Sequence, residues 1–296
     1  MPELKADFIS DWLGHMRSYL IGKNKKVKGK IDALDDSDVA VQYFETRNRS
    51  VTCVPRTIKI AREFSCPTEY VHGWEVLQAK VKTGADINGH LGRKHASPFD
   101  PDWMLAEWGV HHFHLGVDSH PNDPAFVVRS GPLVFAMLTD DTFYAINVYS
   151  HQSFLDAGVV EKIHDNWPEI ISSFRTGAGV ANVVDHKERK ISRESHLNTT
   201  TVITDGTRYR PIGGGVLMSG VTLGAAYTAD YWRFKVEAFQ TDFQTRSGEL
   251  VPMLMERGYS GEGPFEATLK YFSENEAHVF FPQYDLIAIV NLVASR

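Results

Sequence analysis

Val110-His-His-Phe-His-Leu115, Pro132-Leu-Val-Phe-Ala-Met-Leu138 and Thr142-Phe-Tyr-Ala-Ile-Asn-Val-Tyr149 are three short runs dominated by β-branched, aromatic and other apolar residues. Turn chemistry bounds them. Gly116 and the stretch Val117-Asp-Ser-His-Pro-Asn-Asp-Pro-Ala125 follow the first, and Thr139-Asp-Asp141 separates the last two. Connections this short do not admit a parallel crossover. The runs therefore predict one antiparallel sheet from Val110 to Tyr149, with Phe126-Val-Val-Arg129 leading into its middle strand. Alternate residues of a strand share a face, so His112 and His114 point one way while His111 points with Phe113 the other.

Helical patterns flank this sheet. Leu4, Phe8, Trp12, Leu13, Met16, Leu20 and Ile21 recur at helical spacing, which predicts a helix over residues 4–21. Trp74, Val76, Leu77 and Val81 predict another over 73–84, stopped by Gly84. Asp102 is placed to cap a short helix through Met104, Leu105 and Glu107. A third long pattern runs from Leu155 to Phe174, and Pro168 breaks it near Asn166. Residues 31–66 show only short elements. The Gly84–His95 stretch reads as a loop.

Gly177-Ala-Gly179 marks a change of composition. Two regions follow: 1–175, an α+β domain with the histidine-rich antiparallel sheet, and 176–296, a mainly β part packed on the first. Within the latter, strands and turns dominate, with one or two helices expected around 229–240 and 262–271. The apolar run Leu286–Ala294 reads as a strand buried on both faces. The fold class is α+β, an antiparallel sheet with flanking helices and a mainly β C-terminal half.

The chain has 296 residues and a net charge of −6, so no global basic field draws nucleic acid; such binding needs a local patch. Lys23-Asn-Lys-Lys-Val-Lys-Gly-Lys30 follows the first helix and, with Lys5 and Arg17, makes the most basic segment, read as a solvated loop or a phosphate-contacting arm. The two cysteines, Cys53 and Cys66, make no disulfide framework and read as buried free thiols. The charged N-terminus lacks a signal-peptide core, and no apolar run reaches the ~20 residues of a spanning helix. A cytoplasmic protein away from the membrane is expected.

Six of the thirteen histidines lie between His90 and His120. The His112/His114 pair has the spacing at which a strand offers two imidazoles to one metal ion, and Asp118, Asp140 and Asp141 are the carboxylates available to complete such a site. No zinc-ligand motif supports this, so neither a metal nor a cofactor is expected. Gly213-Gly-Gly215 has neither the P-loop lysine nor the dinucleotide spacing and reads as a tight turn or close crossing.

The hairpin Pro132-Leu-Val-Phe-Ala-Met-Leu-Thr-Asp-Asp-Thr-Phe-Tyr-Ala-Ile-Asn-Val-Tyr-Ser-His151 resembles the last two strands of RelE/YoeB-type toxins, small mRNA-cleaving ribonucleases. L-V-F-A, T-D-D and the terminal His151 carry the likeness, within residues 105–152. Pro132 stands where the family has arginine, Gln152 where it has tyrosine, and Glu107 is set against its glutamate. The resemblance implies a metal-independent endoribonuclease, acting in defence or phage–host conflict. RNA would be its partner, with a protein partner or inhibitor beside it.

The implied chemistry is coherent for these residue types. RNA cleavage without metal needs a base for the 2′-hydroxyl, an acid for the 5′-oxygen and a cation for the phosphorane charge. His151 takes the acid role, His112 or His114 the base, and Arg129 or Arg93 the cation, with Tyr149 sharing a face with His151. Two other classes stay open: a non-catalytic binding subunit of a larger assembly, and a metal-dependent nuclease or hydrolase built on His112 and His114.

Overall fold

The computed structural model describes residues 3–23, 25–177 and 184–292. The first elements in chain order are β1 (Leu4–Ala6), α1 (Phe8–Lys23), α2 (Lys28–Asp32), α3 (Asp36–Asn48), β2 (Thr57–Ile60), α4 (Val71–Thr83) and α5 (Trp103–Trp108). Then come β3 (Val110–His114), β4 (Ser119–His120), β5 (Asp123–Val127), β6 (Leu133–Leu138), β7 (Thr142–Tyr149), α6 (Gly158–Asn166), α7 (Pro168–Ile171) and α8 (His186–Glu194). The chain closes with β8 (Thr201–Val202), β9 (Arg208–Tyr209), α9 (Leu223–Thr245), α10 (Val251–Met255), β10 (Phe265–Phe272), β11 (Glu276–Phe281) and β12 (Leu286–Asn291). Helices flank antiparallel-rich sheets, so the fold is α+β. Among the described residues no helix is long and apolar enough to cross a membrane.

Two compact units form: residues 45–225, and residues 1–44 together with 226–296. The expected division at 175/176 does not coincide with them. From Ala178 onward, the Gly177–Gly179 boundary lies outside the described residues.

The 45–225 unit is built on a four-stranded sheet in the order β2-β7-β6-β3. β3, β6 and β7 are antiparallel neighbours, with Val110 opposite Met137 and Leu133 opposite Tyr149. β2 adds to β7 in parallel. Phe126 and Val127, expected to lead into the meander, instead pair within a separate β4–β5 ribbon. β6 is apolar throughout because both of its faces are covered. Leu133, Phe135 and Met137 join a core with Val159, Ile163 and Ile171 of α6 and α7. Val134 and Ala136 pack on the other side with Trp74, Leu77 and Val81 of α4. α4 ends where expected, at Gly84 with φ +71°. Pro168 opens α7, so the break falls at Trp167.

In the other unit the sheet order is β1-β10-β11-β12. Leu4–Ala6, expected as the first turn of a helix, pairs in parallel with Phe265–Ala267. The helix expected over 262–271 is strand β10, in which alternate residues Phe265, Ala267 and Leu269 are buried. The second half of the chain is less β-rich than expected, because α9 runs for 23 residues and buries Ala225, Ala229, Val236, Phe239 and Phe243 at helical spacing. β12 is an edge strand covered on one face only. Ile287 and Ile289 are exposed, contrary to the burial expected on both faces, while Val293 and Ala294 lie outside the described residues. The lysine-rich segment is helical rather than a loop, in α1, a 3-10 turn at Lys25–Val27 and α2. Both cysteines are free, and Cys53 is exposed rather than buried.

Candidate functional site

β3 is the outer strand of its sheet, and a cavity of about 380 Å³ lies at that edge. His112, His114, His151 and Arg129 all line it, although they come from β3, the loop before β6 and the 3-10 turn after β7. His111 lines it as well, since the cavity reaches the outermost strand.

His114 is buried, and its Nδ1 lies 3.2 Å from the Ser130 carbonyl oxygen. That oxygen only accepts, so the Nδ1 hydrogen points to it and Nε2 is the acceptor nitrogen. Burial is the main reason its pKa falls to about 4, and His111 falls to about 4 for the same reason. Ser130 also ties the loop: its hydroxyl donates to Pro132 O at 2.6 Å and accepts from Leu115 N–H at 2.8 Å. That network places the exposed Arg129 at the cavity.

His112 lies with Nδ1 3.8 Å from Asp102 Oδ2, and its ring meets Phe154 edge-on at 4.9 Å. Burial lowers its pKa, and the Asp102 charge opposes that shift. Asp102 also caps α5, accepting from Leu105 N–H at 3.0 Å. One carboxylate thus fixes a helix and sits beside the ring. His151 is exposed at the start of its turn, 6.1 Å ring-to-ring from His114 and 5.7 Å from Phe154.

Tyr149 is not brought to the cavity. Its ring packs on Phe135 at 4.8 Å, with the Lys162 ammonium over it at 5.2 Å, so it belongs to the core rather than to His151's surroundings. Its hydroxyl is buried without a hydrogen-bond partner among the described residues, and burial drives its pKa up.

Sequence reasoning missed Arg193, Arg49, His95, Trp103 and Phe154, which also line the cavity. Four arginines line the cavity against two aspartates, Asp100 and Asp102, a local positive excess in an acidic chain. Arg193 comes from α8, where Asp185 and Glu188 form a capping box. That D-x-x-E pattern, with Arg189 and Arg193 one turn apart behind it, was the available signal.

Glu107 sits beneath this wall. Its Oε2 accepts from Arg193 Nε at 2.6 Å, and its Oε1 accepts from Arg189 Nη1 and from the Thr199 hydroxyl at 2.9 Å. Both guanidiniums lie over the buried Trp108 ring, at 5.0 and 4.7 Å. The glycine run holds α5 from the other end. Gly213 and Gly215 N–H groups donate to Glu107 O and Ala106 O, at 3.1 and 2.9 Å. Gly213 approaches so closely that a Cβ there would lie 1.9 Å from Leu105 O.

Among the described residues no group of three His, Cys, Asp or Glu side chains could hold a metal ion. Asp140 and Asp141 lie at the β6–β7 turn, where Asp141 bonds Thr139 and Thr142. Comparison with protein-family models, with curated proteins and with solved structures finds no match to the chain.

Proposed function

We propose that the cavity binds the backbone of single-stranded RNA and cleaves it without metal, as a RelE/YoeB-type toxin core would. The observation that carries this reading is the meeting of His112, His114, His151 and Arg129 at one cavity. Its size is near the lower end of the ~300–1,000 Å³ usual for small-molecule sites, enough to hold about a nucleotide. His112 is the base: it is neutral near pH 7, and Asp102 beside it favours the imidazolium formed when it takes the 2′-hydroxyl proton. The 2′-oxygen then bonds to phosphorus while the P–O5′ bond breaks. His151 donates a proton to the departing 5′-oxygen, and Arg129 faces the charge gathered on the phosphorane. The products are a 2′,3′-cyclic phosphate and a 5′-hydroxyl. Phe154 and Trp103 offer ring faces for a base. A role in defence or phage–host conflict belongs to the same reading.

The test is incubation of the full chain with single-stranded RNA in EDTA. Cleavage leaving cyclic phosphate ends is expected. His151→Ala should slow it about 10²–10⁴-fold and change stability by under about 0.5 kcal/mol, because the side chain is exposed. RNA left intact by the wild type, or cut equally fast by the variant, overturns the assignment.

A further inference from the structure

We propose that Arg193 is the anion-holding residue of the cavity and that the anion is a backbone phosphate, the latter resting on the ribonuclease reading. Arg189, Arg193 and Glu107 are 2, 8 and 8% exposed. A guanidinium stays protonated at any physiological pH. Two cations therefore share one carboxylate where water barely enters, and a buried charge without a counter-charge is strongly unfavourable. The Trp108 face attracts both guanidiniums but carries no net charge.

Of the two arginines, Arg193 lines the cavity. Nε donates to Glu107, and Nη1 donates to Phe154 O at 2.7 Å. Nη2 has no protein partner among the described residues. The guanidinium is thus held on two sides with one nitrogen unassigned. Asp102 also acts on Arg193, but the same carboxylate serves Arg49, His111 and His112. A phosphate oxygen supplies both the missing charge and an acceptor, and the planar fork suits it. Arg129 and Arg93 are exposed at the cavity and add to the field that attracts it.

Titration of the full chain with inorganic phosphate, followed by calorimetry, tests the site. The wild type is expected to bind, and Arg193→Gln to weaken binding about tenfold or more, one charge-assisted contact being lost. Arg193→Lys keeps the charge and the apolar stem, so it serves if the glutamine variant does not fold; it lacks the fork and should bind several-fold more weakly. No binding by the wild type, or equal binding by a folded variant of either kind, overturns the inference. RNA cleavage in EDTA is read separately. Phosphate binding through Arg193 without cleavage supports the anion site and sinks the ribonuclease reading. Cleavage by Arg193→Gln at the wild-type rate sinks the inference and leaves that reading standing.

Discussion

At the scale of single residues, burial lowers the pKa of three cavity imidazoles, those of His111, His112 and His114. His114 shows what this implies for stability. Its folded pKa is about 4, whereas the unfolded chain titrates near the ordinary ~6.5. Above pH 6.5 both states are neutral, and this residue contributes no pH dependence. As pH falls below 6.5 the unfolded chain takes up the proton first, so stability is lost until about pH 4 and then levels off. The loss for a group this buried is on the order of 3 kcal/mol at the low end. Urea midpoints measured from pH 7 to pH 4 should fall, and should fall less steeply for His114→Gln. Parallel curves for the two proteins would show that His114 is not held neutral. The alternation of β3 made the shared orientation of His112 and His114 readable. The inclusion of His111 was not, because it depends on β3 lying at the edge of the sheet. Tyr149 misled for a related reason: strand alternation gives a face but not what covers it, and here that is the aromatic core.

At the scale of elements, α5 carries the site from one end and is gripped at the other. Asp102 caps its first turn, and the Gly213–Gly215 run accepts the approach of its last. Gly213→Ala would put a methyl group 1.9 Å from Leu105 O and 2.6 Å from Ala106 O, both backbone atoms that cannot swing aside. A loss of about 1–3 kcal/mol is expected, read as a lower urea midpoint, with reduced activity if α5 shifts. Gly131→Ala, which meets nothing within 4 Å, is the matched control and should be near neutral. Equal midpoints for the two would refute the close-packing account. Elements with strong punctuation were legible in the sequence: α4 by Gly84, the α6–α7 break by Pro168, and the β6–β7 hairpin by Thr139-Asp-Asp141. β10 was not, since Phe265 and Leu269 satisfy helical i, i+4 spacing as well as strand alternation. α8 was overlooked because its buried side chains are arginines, which no apolar periodicity detects.

At the scale of the whole molecule, the second half of the chain completes both units. Ile203, Tyr209 and Ile212 belong to the core beneath the main sheet, Tyr209 OH lies 2.7 Å from His164 Nδ1, and Trp108 Nε1–H donates to the Thr201 hydroxyl at 3.0 Å. β1 needs β10 as its neighbour. A chain ending at Arg175 lacks part of each unit and should therefore lose cooperative unfolding and expose apolar surface. Circular dichroism during urea unfolding, with dye binding, would show it. A sharp transition equal to that of the full chain would disprove this mutual dependence.

The pairing of Leu4 with Phe265 also sets an order of events during synthesis. Residues 45–225 are contiguous, so on the ribosome the cavity-bearing unit has all its parts once residue 225 has emerged. Strand β1 must wait until Phe265–Ala267 has been made before it finds its neighbour. Its closure is a late, long-range step, and prior folding of the intervening unit shortens the span of loose chain that must be closed. The cavity-bearing unit can therefore fold before the unit formed by residues 1–44 and 226–296 has all its parts.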